Sequence, residues 1–264
     1  MATYLDKILD AHRDAARTES RDLSRLVAEA EACPPARGFK AALQRRAGIA
    51  VVAEVKRRSP SKGPLAPDLV PALLAKAYEA AGAACLSVLT DAEFFGGSAA
   101  DLVEAREAVE LPVLRKDFTV SRADVCDARI MGADALLLIV GALSPSELAE
   151  LLDLSRHLGL DALVEAHDER EAEIALGAGA DVVGVNQRDL QTFEVDQDRA
   201  VRVGASLPGG IVRVAESGIR SAEDVRRLAD AGFDAVLVGE ALVSAPDPGM
   251  ALVSLTSLTS TEAP

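Results

Sequence analysis

Short runs of Val, Ile, Leu and Ala recur along the chain, each followed by a polar or glycine-bearing segment and then by apolar residues at helical spacing. Eight such runs stand at 49–55 (IAVVAEV), 84–89 (ACLSVL), 112–115 (PVLR), 134–140 (within ADALLLIV), 161–165 (DALVE), 181–185 (DVVGV), 211–215 (IVRVA) and 234–238 (DAVLV). Between them DLVPALLAKAYEAAG, SPSELAELLDLSRHLG and SAEDVRRLADAG predict helices that open on Asp or Ser caps and close at Gly. The closures share one form: EAAGAA, ARIMGADA, IALGAGADV and LADAGFDA each end a helix and open the next strand. Nearly continuous apolar strands alternating with helices predict a parallel sheet covered on both faces, and eight units predict its closure into a (β/α)8 TIM barrel. An open, doubly wound sheet is the alternative, disfavoured because no early G-x-G-x-x-G loop is present.

Residues 3–17, 22–32 and 39–46 predict three helices ahead of the first strand. They form an N-terminal helical extension over 1–46 of a single barrel domain spanning 1–264. Periodicity is lost after about Leu255, and a frayed tail is expected over about 256–264. Composition agrees with close helix-on-strand layers, since aromatics make up only 3% of the chain.

Charge narrows the partners. Lys plus Arg total 28 against 42 Asp plus Glu, a net charge of −14, so nucleic acid and anionic membrane surfaces are disfavoured. An anionic small molecule must be met by local positive charge, for which Lys56, Arg57, Arg58, Lys62 and the pair Arg115–Lys116 are candidates. Cys33, Cys85 and Cys126 are too widely spaced for a disulfide framework or a zinc site. No apolar signal core opens the chain and no run approaches a membrane span, so a cytoplasmic protein is expected, a monomer with an oligomer left open.

The chemistry expected of such a barrel sits at the C-terminal ends of its strands. The polar residues there are Glu54, Lys56 and Ser59 after the first strand, Lys116 and Asp117 after the third, Glu165 and His167 after the fifth, Asn186 and Arg188 after the sixth, and Glu216 and Ser217 after the seventh. In AEVKRRSPSKG, alternation places Glu54 and Lys56 on one face of the strand, either as a structural ion pair or as a working pair. Lysines and glutamates around one mouth would shift one another's ionisation, which suits proton transfer without metal or nucleophilic serine. Ser217, Gly218 and Gly239, in ESGIRSAED and VGEALV, offer backbone amides where barrels of this type hold phosphate; ordinary turns are the competing account. Phe94, Phe95 and Phe118 either line a pocket for an aromatic ring or pack against loops. His12 and His157 are expected at the surface, and His167 near the mouth but not on a metal.

In order, AEVKRRSPSKG, SVLTDAEFFGGS, LPVLRKDF, ADALLLIV, LVEAH, GVNQRDLQTF, ESGI and VLVGEAL cover nearly the whole chain, and by these motifs it resembles the indole-3-glycerol phosphate synthase family. The resemblance implies closure of an indole ring from 1-(2-carboxyphenylamino)-1-deoxyribulose 5-phosphate, with loss of CO2 and water and without cofactor or metal. It implies Lys116 as the general acid of ring closure, Glu165 as the base of dehydration, and Lys56, held by Glu54, on the substrate carboxylate and as a later proton donor. It further implies that Ser59, Asn186, Arg188 and Glu216 position the substrate, with Phe95 and Phe118 beside the anthranilate ring. Three other readings compete: a Schiff-base aldolase, a phosphoribosylanthranilate isomerase, whose acid–base Cys has no counterpart at the end of the first strand here, and a non-catalytic binding barrel.

Overall fold

The computed structural model describes residues 3–45, 48–189 and 192–257. Eight parallel strands close into a barrel: β1 (Ala50–Val55), β2 (Cys85–Leu89), β3 (Val113–Lys116), β4 (Ala135–Ile139), β5 (Asp161–Ala166), β6 (Val182–Asn186), β7 (Val212–Glu216) and β8 (Ala235–Val238). Each pairs with its sequence neighbours, and β1 closes the ring by pairing with β8 from Ala50↔Ala235 to Ala53↔Val238. The predicted (β/α)8 TIM barrel is therefore the fold, and the open sheet is excluded by this ladder.

The outer layer is α4 (Pro71–Ala80), α5 (Ala99–Ala108), α6 (Arg122–Ile130), α7 (Pro145–His157), α8 (Glu169–Gly177), α9 (Gln197–Ser206) and α10 (Ala222–Asp230), with the short α11 (Glu240–Val243) before α12 (Pro248–Thr256). Ser144 and Ser221 start α7 and α10 as expected, each closing a capping box with the acid three residues on. The Asp cap expected for the DLVPALL segment is not used. Helix α4 begins at Pro71 after an extended Val70, because proline disfavours helical geometry in the residue before it and sets φ for the first turn.

The repeated Gly-x-Asp closures have a second purpose beyond ending helices. Asp134 and Asp234, each at a strand entrance, accept the backbone N–H of Val113 and Arg213 on the neighbouring strand, both at 2.8 Å. Asp134 is fully buried and also accepts from Arg106 Nη2 (3.0 Å) and the N–H of Arg37 (2.8 Å). One carboxylate thus ties the N-terminal segment, α5 and β3 together at the bottom of the barrel.

The N-terminal helices reach both ends of the barrel. Helix α3 (Phe39–Gln44) lies beneath the strands, with Phe39 fully buried and the N–H of Lys40 donating to Asp161 (2.8 Å). Helix α2 (Leu23–Glu31) packs on α6. Helix α1 (Tyr4–Arg17) crosses the top, where Arg13 donates to the Ala142 carbonyl (2.7 Å) and pairs with Glu147 (3.1 Å). The third predicted helix stops at Gln44, and its last predicted residue, 46, lies outside the described residues, as does 258–264 of the expected tail. Among the described residues no helix is long and apolar enough to cross a membrane.

Asp134→Ala removes the buried acidic partner of Arg106 while leaving the N–H groups of Arg37 and Val113 without their acceptor. It should lower the free energy of unfolding by ~3 kcal/mol in urea titrations, with Asp134→Asn costing less because it keeps an acceptor. An unchanged midpoint for Asp134→Ala would show that solvent replaces the carboxylate.

Candidate active site

Alternate strands of such a barrel build one interior layer of four side chains, and at the top of this barrel that layer is charged. β1 contributes Glu54, β3 Lys116, β5 Glu165 and β7 Glu216. Two residues down each strand, the same parity carries Val52, Leu114, Leu163 and Val214, all fully buried, so the charged layer rests on an apolar floor.

Lys116 Nζ lies 3.0 Å from Glu165 Oε2 and 3.2 Å from Glu216 Oε2. Burial pulls this lysine toward the neutral amine, but Glu165, Glu216 and Glu54 outweigh it and hold the ammonium above its ordinary value. The magnitudes agree: at an effective dielectric near 20, a charge pair about 4 Å apart is worth about 4 kcal/mol, so two or three pairs match a desolvation cost of several kcal/mol. Burial would raise Glu165, yet Lys116, His167 and a hydrogen bond from Asn186 Nδ2 (3.1 Å) keep it below the usual carboxylate value. For Glu216 burial wins: despite Lys116, desolvation together with Glu165 and Glu54 pushes it up to about 7. Two carboxylates of one layer are thereby driven apart in acidity. Glu54 holds its own lysine, with Lys56 Nζ 2.5 Å from Oε1.

Two glycines make room for these carboxylates. A Cβ at Gly184 in β6 would collide with Glu216 Oε1 and lie 3.1 Å from Leu163, and one at Gly239 would collide with Glu54 Oε1 and lie 3.0 Å from Lys56 Nζ. Gly239 therefore guards the Glu54–Lys56 pair as well as standing in the loop after β8. Ser217 and Gly218 both adopt left-handed backbone (φ 65 and 72), and Gln187 Nε2 donates to the Ser217 carbonyl at 2.7 Å. A non-glycine residue held there at the end of a strand is backbone strain of the kind that collects at ligand sites.

The charged layer forms the base of a cavity of about 430 Å³ at the strand ends. Of the strand-end and loop residues that the sequence offers, Glu54, Lys56, Ser59, Phe95, Lys116, Asp117, Phe118, Glu165, Asn186, Arg188, Glu216, Ser217, Gly218 and Gly239 line it, and His167 is not among the lining residues. Phe95 and Phe118 lie together on its wall, tilted to one another with ring centroids 6.2 Å apart. Phe94 does not join them; it packs edge-on to Tyr4 at 5.9 Å, so for this residue the packing account holds. Glu240 turns to Arg188 (3.7 Å) and Lys62 (3.9 Å) at the rim.

Several charges proposed to greet an anion face elsewhere. Arg57 is forked onto Asp101 and the carbonyls of Pro67 and Leu69. Arg115, one residue from Lys116 and so of opposite parity, binds Asp117, Thr90 and the Asp124 carbonyl outside the barrel. His12 is not a surface residue: its Nε2 meets Asp91 Oδ2 at 2.9 Å and its ring lies 5.4 Å from Phe118. Asp91 in turn accepts the N–H groups of Phe94 and Phe95 (2.6 and 3.1 Å), so His12 braces the loop that carries the aromatic wall. Tyr4, Leu5 and Ile8 of α1 line the cavity as well; the signal available in the sequence was an amphipathic helix with one of only two tyrosines at its start.

A family model described as indole-3-glycerol phosphate synthase matches residues 5–255. Indole-3-glycerol phosphate synthase 2 of Streptomyces coelicolor is 55% identical over 243 residues, covering 92% of each chain. The indole-3-glycerol phosphate synthase of Mycobacteroides abscessus is 52% identical over 255 residues, covering 96% of this chain and 93% of its own. Among solved structures, a thiamine phosphate pyrophosphorylase from Pyrococcus furiosus superposes with a TM-score of 0.59 at 18% identity, covering 80% of this chain and 95% of that one, a likeness of fold alone.

Glu216 yields a test of the layer's electrostatics. A carboxyl whose folded value (about 7) exceeds its ordinary one (4.5) binds its proton more tightly when folded, so its contribution to stability is present below the ordinary value and is lost as pH rises through 7. Glu216→Gln lacks this loss. Its melting temperature relative to the parent protein should therefore climb between pH 5 and pH 8, and a constant difference over that range would show that Glu216 ionises like an ordinary carboxylate.

Proposed function

The chain belongs to the indole-3-glycerol phosphate synthase family, and on that premise we propose how its cavity carries out the reaction. As a member it is a lyase that decarboxylates, in tryptophan biosynthesis. The proposed substrate is 1-(2-carboxyphenylamino)-1-deoxyribulose 5-phosphate, and the product is indole-3-glycerol phosphate.

The observation that carries the assignment of roles is the buried ammonium of Lys116 between two carboxylates of unequal acidity. Ring closure requires the aromatic carbon to attack the ribulose carbonyl while a proton reaches the developing alkoxide. Lys116, held charged, is the donor. Loss of CO2 restores the electrons to the ring system. Dehydration then removes a ring proton and a hydroxyl; Glu165, kept ionised, takes the proton, and Lys56 delivers one to the departing oxygen after having bound the substrate carboxylate. Asn186 aims Glu165, and Glu54 aims Lys56.

Phe95 and Phe118 supply the apolar wall for the anthranilate ring, and Ser59, Arg188 and Glu216 position the sugar. The loops of Ser217–Gly218 and Gly239 take the phosphate through backbone amides, with Glu240 drawn aside by Arg188 and Lys62. A Schiff-base mechanism fits less well, because it needs a neutral amine where this layer favours an ammonium. Ring closure, decarboxylation and dehydration involve no net oxidation or reduction and are served by proton donors and a base, so no cofactor or metal is required of this reading. Its natural setting is a cytoplasmic monomer acting on an anionic small molecule rather than nucleic acid.

Lys116→Ala should reduce kcat by ~10²–10⁴ with a smaller change in KM, followed by indole fluorescence with the carboxyphenylamino-deoxyribulose phosphate as substrate; near-normal turnover would remove Lys116 from its role. Glu54→Gln separates a working pair from a structural one. Turnover should fall strongly while the melting temperature changes little, because the amide oxygen still accepts from Lys56, whose side chain is 16% exposed and can turn its ammonium to water. Early melting with undiminished turnover of the folded fraction would assign the pair to the fold.

A further inference from the structure

Beside Glu165, and not among the residues that line the cavity, stands a histidine that the proposed chemistry does not use. His167 follows β5, and its Nδ1 lies 3.1 Å from Glu171 Oε2, which also accepts the His167 N–H at 2.8 Å. Two contacts to one carboxylate fix the ring and leave the proton of a neutral imidazole on Nδ1. Its other nitrogen is buried and, among the described residues, has no hydrogen-bond partner. That nitrogen points at the base: Nε2 is 3.5 Å from Glu165 Oε1. A buried imidazole lone pair facing an ionised carboxylate makes no bond, whereas a proton on either group would join them. The contact is thus empty in the resting state and is completed only when Glu165 has done its work.

We propose that His167 resets Glu165: after the base has taken its proton, the Oε1–H bond breaks, an Nε2–H bond forms, and the imidazolium is held by Glu171 until a proton passes to water. This rests on Glu165 being the base. Glu171 is the outlet because its side chain is 22% exposed, against 2% for Glu165. The fold reserves its place, since a Cβ at Gly141 would lie 3.0 Å from Glu171 Oε1. The charges facing the ring are Glu165 on its own strand, Glu171 on α8 and Glu216 on β7, with Lys116 of β3 beyond Glu165. Burial works against protonation of the ring, but Glu171, Glu165 and Glu216 together raise His167 above an ordinary histidine, which makes it a competent acceptor near neutral pH. Once formed, the imidazolium favours the ionised form of Glu165, so the proton runs from the base to the ring.

The test compares three variants by kcat, KM and pH profile. His167→Asn should lower kcat about tenfold, the lower end of what a positioned proton-transfer group is worth, with KM nearly unchanged. The acidic limb of its profile should move to higher pH, because a protonated Glu165 can no longer hand its proton to the ring. Glu171→Gln, which keeps the hydrogen bond to the His167 N–H, should move that limb in the same direction by less, and it decides the matter if His167→Asn folds poorly. Histidine NMR adds a reading independent of turnover: with only three histidines in the chain, the His167 titration should shift to lower pH in Glu171→Gln. Parent-like profiles in both variants would overturn the relay. Near-normal turnover of Glu165→Gln would instead overturn the base itself, so the two failures are distinguishable.

Discussion

Lys116 cannot keep its charge alone. An ammonium at the base of a closed barrel, above a floor of Val52, Leu114, Leu163 and Val214, is stable only because Glu165 and Glu216 stand within 3.0 and 3.2 Å on two other strands, with Glu54 completing the layer. Those strands are distant in the chain and meet only because the ladder closes between β1 and β8. The layer carries more carboxylate than ammonium, so one acid has to yield, and Glu216 does. The same surplus leaves Glu165 free to remain a base. Acid–base difference in this site is a consequence of counting charges in a space that water does not enter freely.

Crowding in that layer explains residues that do no chemistry. Gly184 and Gly239 are empty volumes occupied by Glu216 and Glu54, and any side chain there would displace a carboxylate before it disturbed a ligand. The loops above are braced from outside the barrel. His12 holds Asp91, Asp91 holds the amides of Phe94 and Phe95, and Phe118 lies against the His12 ring, so the aromatic wall is as firm as the docking of α1.

The two ends of the barrel use carboxylates in opposite ways. At the bottom Asp134 and Asp234 accept neighbouring strand amides and are spent on connection. At the top carboxylates face one lysine and a cavity, and their hydrogen-bonding capacity is left incomplete: Glu216 Oε1 and His167 Nε2 are buried without partners among the described residues.

Period and parity were legible in the sequence because they are local properties of the chain. Eight apolar runs with glycine closures determined the barrel, and alternation within a strand placed Glu54 with Lys56 and set Lys116 apart from Arg115. The strand-end rule then placed Glu54, Lys116, Glu165, Glu216 and most other polar candidates around one cavity, His167 excepted. Contacts between distant segments carry no such period. His12 and Asp91 are 79 residues apart, and nothing in an amphipathic helix states which loop its polar edge will meet. Phe94 and Phe95 are adjacent and alike, yet one packs on Tyr4 and the other lines the cavity, a difference that depends on the course of a loop. Likewise, the carboxylate that yields in the layer was decided by the relative positions of β1, β3, β5 and β7, since the ionisation of a buried group depends on distances that only the closed barrel defines.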